Sequence, residues 1–174
     1  QALQNALYNI PNIAHSKVPP GRSAADNQIV AQSGKIPELG DDVEPHWELV
    51  KKFDIVDFEL GNKISGAGFP IYKGKGAKLQ RALVAFFLEE AEKAGYLEVQ
   101  PPVVINSESG YGTGQLPDKE GQMYGIADSE LYLIPTAEVP ITNMYRDVIL
   151  NEDQLPVKIV GHSLCFRREA GSWG

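Results

Sequence analysis

At 174 residues, 43% hydrophobic and 22% charged, the sequence carries enough apolar material for a packed core and lies outside the composition of disordered chains. Its formal net charge of −7 runs against a free-standing nucleic-acid-binding domain, which is more often basic. The one cysteine, Cys165, excludes a disulfide within the chain; His15, His46 and His162 lack metal-ligand spacing; and the longest aliphatic and aromatic run, Leu83 to Leu88, is far too short to span a bilayer.

In chain order, residues 1–9 place Leu3 and Leu7 four apart, a scrap of amphipathic helix that reads as the end of something longer, because two turns do not stand alone. Ile10-Pro11-Asn12-Ile13 breaks it, residues 14–26 read as a polar linker, and Ile29, Val30 and Ala31 suggest a short strand over 27–32. Pro45 opens a helix with its cap expected at Asp41 or Asp42 and an apolar side of Trp47, Leu49, Val50 and Phe53. A second short helix is expected near Val56 to Lys63. The clearest helix runs from about Ala77 to Ala94, with Leu79, Ala82, Leu83, Phe86 and Phe87 as its predicted buried stripe and Gly95 as its stop. Strands follow at Tyr96–Val99, ended by Pro101-Pro102, and at Leu131–Ile134, halted by Pro135. Pro140 suits the first turn of a helix reaching about Leu150, and Val157 to Glu169 reads as one long strand. The order is mixed α+β, without the alternation of a doubly wound sheet. No charged-then-apolar leader opens the chain, and a cytoplasmic location is expected.

Lys73-Gly74-Lys75-Gly76-Ala77 lacks the earlier Gly and the following Ser or Thr of a phosphate-binding P-loop. Gly66-Ala67-Gly68 and Gly112-Thr113-Gly114 lack the third Gly of a dinucleotide fingerprint, so these read as turn glycines. Cys165, between Leu164 and Phe166, reads as a buried structural cysteine.

Three segments carry chemistry. In Cys165-Phe166-Arg167-Arg168-Glu169, a strand would aim Arg167 and Glu169 to one face, about 6–7 Å apart, and Phe166 and Arg168 to the other. Arg suits bidentate phosphate recognition; an ordinary surface ion pair is the alternative. In Ile134-Pro135-Thr136-Ala137-Glu138, a hydroxyl and a carboxylate at a strand end could clamp a small zwitterion, or Thr136 could simply cap a helix with Glu138 in its first turn. The helix and strand over 77–102 read by themselves as core packing.

Together these segments resemble the catalytic domain of class II aminoacyl-tRNA synthetases. The helix and strand over about 77–102 resemble motif 1. Phe166-Arg167-Arg168-Glu169, within about 157–174, resembles the Phe-Arg-x-Glu start of motif 2. The likeness is closer to the bacterial-type seryl-tRNA synthetases, carried by Gly66-Ala67-Gly68-Phe69-Pro70, Tyr111-Gly112-Thr113-Gly114-Gln115-Leu116-Pro117, Ile134-Pro135-Thr136-Ala137-Glu138-Val139-Pro140 and Phe166 to Ser172. The resemblance implies an α+β fold, an antiparallel sheet flanked by helices, with residues 1–9 ending a coiled-coil arm and 10–174 forming the N-terminal part of a catalytic domain incomplete at its C-terminal end. It implies ATP-dependent activation of L-serine to seryl-adenylate and transfer to serine tRNA. Thr136, Ala137 and Glu138 would bind serine. Arg167, Arg168 and Glu169 would bind ATP, with Arg167 on the α-phosphate as the catalytic group and Glu169 near the adenine.

Motif 1 implies a homodimer in the intact protein, with no membrane partner. Motif 3, and the carboxylate that holds Mg2+ with ATP, would lie outside this sequence, so the chain alone is expected not to form adenylate, and no metal ligand is assigned here. Two further readings stay open: a ligase that loads an amino acid onto a carrier protein, whose relatives use a Cys and Glu zinc site for which this chain has no second Cys, and a non-catalytic paralogue acting as a binding module.

Overall fold

The computed structural model describes residues 2–119 and 121–168 and divides into two units, Gln1–Pro45 and His46–Gly174. In the first, helix α1 (Ala2–Leu7) is followed by a 3-10 turn at Ala24–Asp26. Ser23 and Asp26 cap that turn reciprocally, and the N–H groups of Arg22 and then Ser23 hold the Asp26 carboxyl below its ordinary range. The strand expected over 27–32 does not form. A strand exists only as half of a ladder, no described segment pairs with this one, and Ile29 and Val30 stand 81% and 92% exposed.

The second unit begins with α2 (His46–Lys52), which ends where Asp54 enters the left-handed region at φ 50°, a conformation a short polar side chain tolerates. Strand β1 (Val56–Asp57) pairs antiparallel with β2 (Ile71–Tyr72). Helix α3 (Phe58–Ser65) therefore starts at Phe58 rather than Val56, with the Asp57 carboxylate accepting the Leu60 N–H at 2.8 Å. A Cβ on Gly61 would lie 1.6 Å from the Phe69 carbonyl oxygen, so only glycine lets α3 lie this close to the chain leading into β2. Lys73 joins Asp54 and Asp57 in ion pairs just before α4 (Gly74–Lys93). That helix begins at Gly74 rather than Ala77, with Gly76 buried against Ile55.

The stripe expected to be buried on α4 is not. Leu79, Phe86 and Phe87 are 56%, 53% and 63% exposed, whereas Ala77, Val84, Leu88 and Ala91 are half-buried; at 100° per residue that covered stripe lies opposite Leu79 and Phe86 and adjoins Phe87. The helix is apolar on two faces, and the sequence pattern picked the uncovered one.

Gly95, at φ +80°, ends the helix and leads into β3 (Leu97–Glu98), which runs parallel to β6 (Ile159–Val160). Strand β4 (Val104–Asn106) pairs antiparallel with β5 (Leu131–Leu133), Ile105 lying opposite Tyr132. Helices α5 (Ser107–Gly112) and α6 (Glu138–Asn143) lie against each other beside this pair. The core gathers here: Ile105, Leu116, Met123, Ile134 and Val139 are buried, with Tyr132 against them. The α+β order thus takes the form of three two-stranded sheets among the described residues, two antiparallel and one parallel.

Two expected elements are shorter than the pattern suggested. Helix α6 stops at Asn143 because Met144, Tyr145 and Arg146 donate to residues three back, and Asp147, at φ 58°, then turns the chain out. Of the strand expected over Val157–Glu169, whose last residue lies outside the described residues, the described part forms a ladder only at Ile159–Val160. Beyond it the chain is held by single bonds, from the Phe166 N–H to the Ile134 carbonyl (2.8 Å) and from the Arg168 N–H to the Gln122 carbonyl (2.7 Å). Cys165 is exposed on this span, not buried, with its thiol beside Ser163. No described helix is long and apolar enough to cross a membrane.

Candidate functional site

Proline decides where the site begins. Ile134 donates its N–H to the Val103 carbonyl at 3.0 Å, extending the β4–β5 ladder by one bond, and Pro135 has no N–H to continue it. The chain turns there, and the freed Pro135 carbonyl accepts a hydrogen bond from Arg167 Nε at 3.0 Å. A guanidinium 32 residues away in sequence is thereby fixed beside the Thr136-Ala137-Glu138 turn. That bond uses Nε and leaves the terminal fork of the guanidinium, a shape that suits bidentate recognition of an anion, outside it.

Thr136 Oγ1 accepts the Glu138 N–H at 3.3 Å, and the Thr136 carbonyl accepts the Val139 N–H at 3.3 Å. Thr136 is therefore not the helix cap that its residue type also suggested, since Ala137 holds the N-cap position of α6 without a side-chain cap bond; the Thr136 hydroxyl accepts in a local turn and still has its own O–H to donate. Thr136 and Ala137 are half-buried and the Glu138 side chain is exposed. Arg168 lies one residue further along the extended segment, its N–H bound to the Gln122 carbonyl. Glu169 lies outside the described residues.

The loop that meets Arg168 is organised by Asp118, which sequence reasoning did not single out. Its two carboxylate oxygens accept the N–H groups of Gln122 (3.0 Å) and Met123 (2.9 Å). Partial burial pushes the Asp118 carboxyl up, but the N–H groups of Met123, Gln122 and Gly121 and the charge of Arg168 outweigh it and hold the group below the ordinary range. Asn143 was also missed. Its amide bridges α6 to α5, donating to the carbonyls of Ser109 (2.9 Å) and Val139 (2.8 Å). Its only sequence signal is a lone amide in an apolar helical run. Among the described residues no group of three His, Cys, Asp or Glu side chains gathers to hold a metal ion.

Residues 124–174 match the tRNA synthetase class II core domain family (G, H, P, S and T). The chain is similar to the serine–tRNA ligase of Salinibacter ruber, 50% identical over 171 residues, covering 98% of this chain and 40% of that protein. It is also similar to that of Halothermothrix orenii, 47% identical over 174 residues, covering 100% of this chain and 41% of that protein. Among solved structures it resembles seryl-tRNA synthetase from Pyrococcus horikoshii complexed with ATP, with a TM-score of 0.86 at 30% identity over 99% of this chain and 43% of that one. It also resembles the cytoplasmic serine–tRNA ligase of Naegleria fowleri in complex with AMP, with a TM-score of 0.81 at 27% identity over 95% of this chain and 40% of that one. The chain therefore spans about two fifths of the length of the curated relatives it matches.

Proposed function

Because the chain belongs to the class II aminoacyl-tRNA synthetases and aligns along its whole length with the serine–tRNA ligases, we propose that it forms the N-terminal part of a catalytic domain that activates L-serine with ATP and transfers it to serine tRNA. The observation that carries this reading is the 3.0 Å hydrogen bond from Arg167 Nε to the Pro135 carbonyl, which joins an arginine suited to phosphate to a turn suited to an amino acid.

In this proposal Glu138 attracts the serine ammonium and Thr136 and Ala137 line the side-chain end, while Arg167, Arg168 and Glu169 hold ATP. The serine carboxylate attacks the α-phosphorus in line, an O–P bond forms, and the bond to the pyrophosphate oxygen breaks. Negative charge builds on the α-phosphate oxygens, and a guanidinium already fixed in place stabilises it without reorganising. No side-chain base is required, because the attacking carboxylate is already ionised. Mg2+ would enter with ATP. The described residues offer it no three-ligand set, and no step above depends on it.

The uncovered face of α4 supports self-association of the intact protein as a homodimer, and a cytoplasmic location accords with a tRNA substrate. Since the chain spans only about two fifths of its relatives, we expect the 174 residues alone to form no adenylate. The test is ATP–pyrophosphate exchange by the full-length protein that carries this sequence, run with each small amino acid in turn. Exchange should depend on serine; exchange driven by another amino acid, or by none, refutes the reading.

A further inference from the structure

The Thr136–Glu138 turn is poorly held by its own bonds. Its two internal contacts, Glu138 N–H to Thr136 Oγ1 and Val139 N–H to the Thr136 carbonyl, are both 3.3 Å, at the long end of the hydrogen-bond range. Its position must therefore be set by its flanks. One flank is fixed by Ile134, fully buried and bonded on both sides, to Val103 and to Phe166. The other is α6, a helix only six residues long, too short to hold its place by its own hydrogen bonds.

Helix α6 is fixed instead by burial of Val139 and Pro140 and, toward α5, through Asn143. Both N–H bonds of its amide are used, one on the Val139 carbonyl inside α6 and one on the Ser109 carbonyl in α5, and its Oδ1 accepts from Arg146 Nη1 at 3.0 Å. Arg146 Nη1 also donates to the Ser109 hydroxyl at 3.1 Å, closing the cluster. Helix α5 is a firm support: the Gly110 carbonyl accepts from Gln115 and Leu116, Thr113 Oγ1 donates to the same Ser109 carbonyl, and Leu116 is in the core. Gly112 packs so near that a Cβ there would lie 2.6 Å from Asn143 Oδ1.

We propose that Asn143 is a positioning residue for the amino-acid site, setting where Thr136, Ala137 and Glu138 stand by fastening α6 to α5. This rests on the reading of that turn as the serine-binding segment. The hydrogen-bond partners of Asn143 are Ser109, Val139 and Arg146 rather than Arg167, so its loss should act on the amino-acid side of the site.

The test measures KM for serine and for ATP separately, by ATP–pyrophosphate exchange, in the full-length protein. Asn143→Asp keeps the shape but offers both carbonyls an acceptor in place of a donor. A displaced positioning element can cost up to about 100-fold, and here the serine KM should rise about tenfold with the ATP KM within about twofold of the parent. Gly112→Ala leaves Asn143 intact but crowds its Oδ1, and it should raise the serine KM in the same selective way, which keeps the test open if the Asp variant folds badly. A serine KM unchanged in both variants, or an ATP KM rising in parallel, overturns the proposal while leaving the serine-activation reading in place. Exchange driven by a different amino acid, with that amino acid's KM raised selectively in Asn143→Asp, upholds the positioning role and overturns serine as the substrate.

Discussion

Replacing Arg167 by Ala separates the two duties assigned to this side chain. The structural duty is one charge-assisted hydrogen bond, Nε to the carbonyl of the buried Pro135 at 3.0 Å. With the arginine itself exposed, its loss should cost about 1.5 kcal/mol of stability, the low end for a bond with one charged partner. The chemical duty is larger. Removing one preorganised donor from a developing oxyanion typically lowers kcat by about 10²–10³, or roughly 2.7–4 kcal/mol. Arg167→Lys keeps the charge, but one ammonium cannot hold the Pro135 carbonyl and reach a phosphate at the same time, so it should retain only part of the activity, about 1–10%. The assay is ATP–pyrophosphate exchange by the full-length protein, with single-turnover adenylate formation to isolate the chemical step and a thermal melt to separate folding from catalysis. An Arg167→Ala protein that melts slightly earlier but turns over within about threefold of the parent would refute the catalytic assignment and leave Arg167 a structural link.

Three further outcomes are expected. Gly61→Ala forces a Cβ to within 1.6 Å of the Phe69 carbonyl, so backbone must move, and urea denaturation should register a loss of about 1–3 kcal/mol; an unchanged midpoint contradicts the close approach of α3 to the chain before β2. Asp118 titrates below the ordinary Asp range when folded, so its stabilisation is complete above that range and fades as pH falls through the lowered folded value; the stability gap between the parent and Asp118→Asn should narrow on acidification, and a gap that does not narrow contradicts it. Leu83→Glu with Phe86→Glu places charge on the uncovered face of α4, where two large side chains at about 1.5–3 kcal/mol each should weaken a homodimer by more than 100-fold; sedimentation of the full-length protein checks this, and an unchanged dimer excludes that face.

What could be read from sequence followed local patterns. The α4 helix, β3 and β5 were all marked by periodicity or by punctuation from Gly95, Pro101 and Pro135. Strands β1 and β2, two residues each, are too short to show any period, and the one at Val56–Asp57 was absorbed into a helix whose cap is Asp57 itself. Periodicity also cannot choose between two apolar faces of one helix, which is why Leu79 and Phe86 were expected inside and stand outside. Cys165 misled through its neighbours: Leu164 and Phe166 suggest burial, but Leu164 is itself 65% exposed and of the three only Phe166 is half-buried. In the site, Thr136, Glu138 and Arg167 could be picked out as residue types in suggestive order. The bonds that organise them could not. Arg167 to Pro135 crosses 32 residues and Asn143 to Ser109 crosses 34, and no local pattern in a single sequence marks such pairs.

Helix α4 has no acidic residue in its first turn and begins among Lys73, Lys75 and Lys78, although a helix start favours negative charge. The missing anions come from outside the helix. Lys73 is drawn to Asp54 first and to Asp57 second, and these pairs hold its ammonium above its ordinary range; Asp57 is bound as well to the Leu60 N–H that begins α3. Counter-ions of the opening coil of α4 are therefore supplied by the turn after α2 and by the β1–α3 junction. Dissolved salt, which screens exposed charges over about a nanometre, acts on that border before it touches the packed middle of the helix. Helix α4 is consequently open to solvent ionic conditions at both ends, because Lys93 and Glu90 form an exposed ion pair in its last turn, and an acidic side chain engineered at Lys75 would give its first turn a counter-charge of its own.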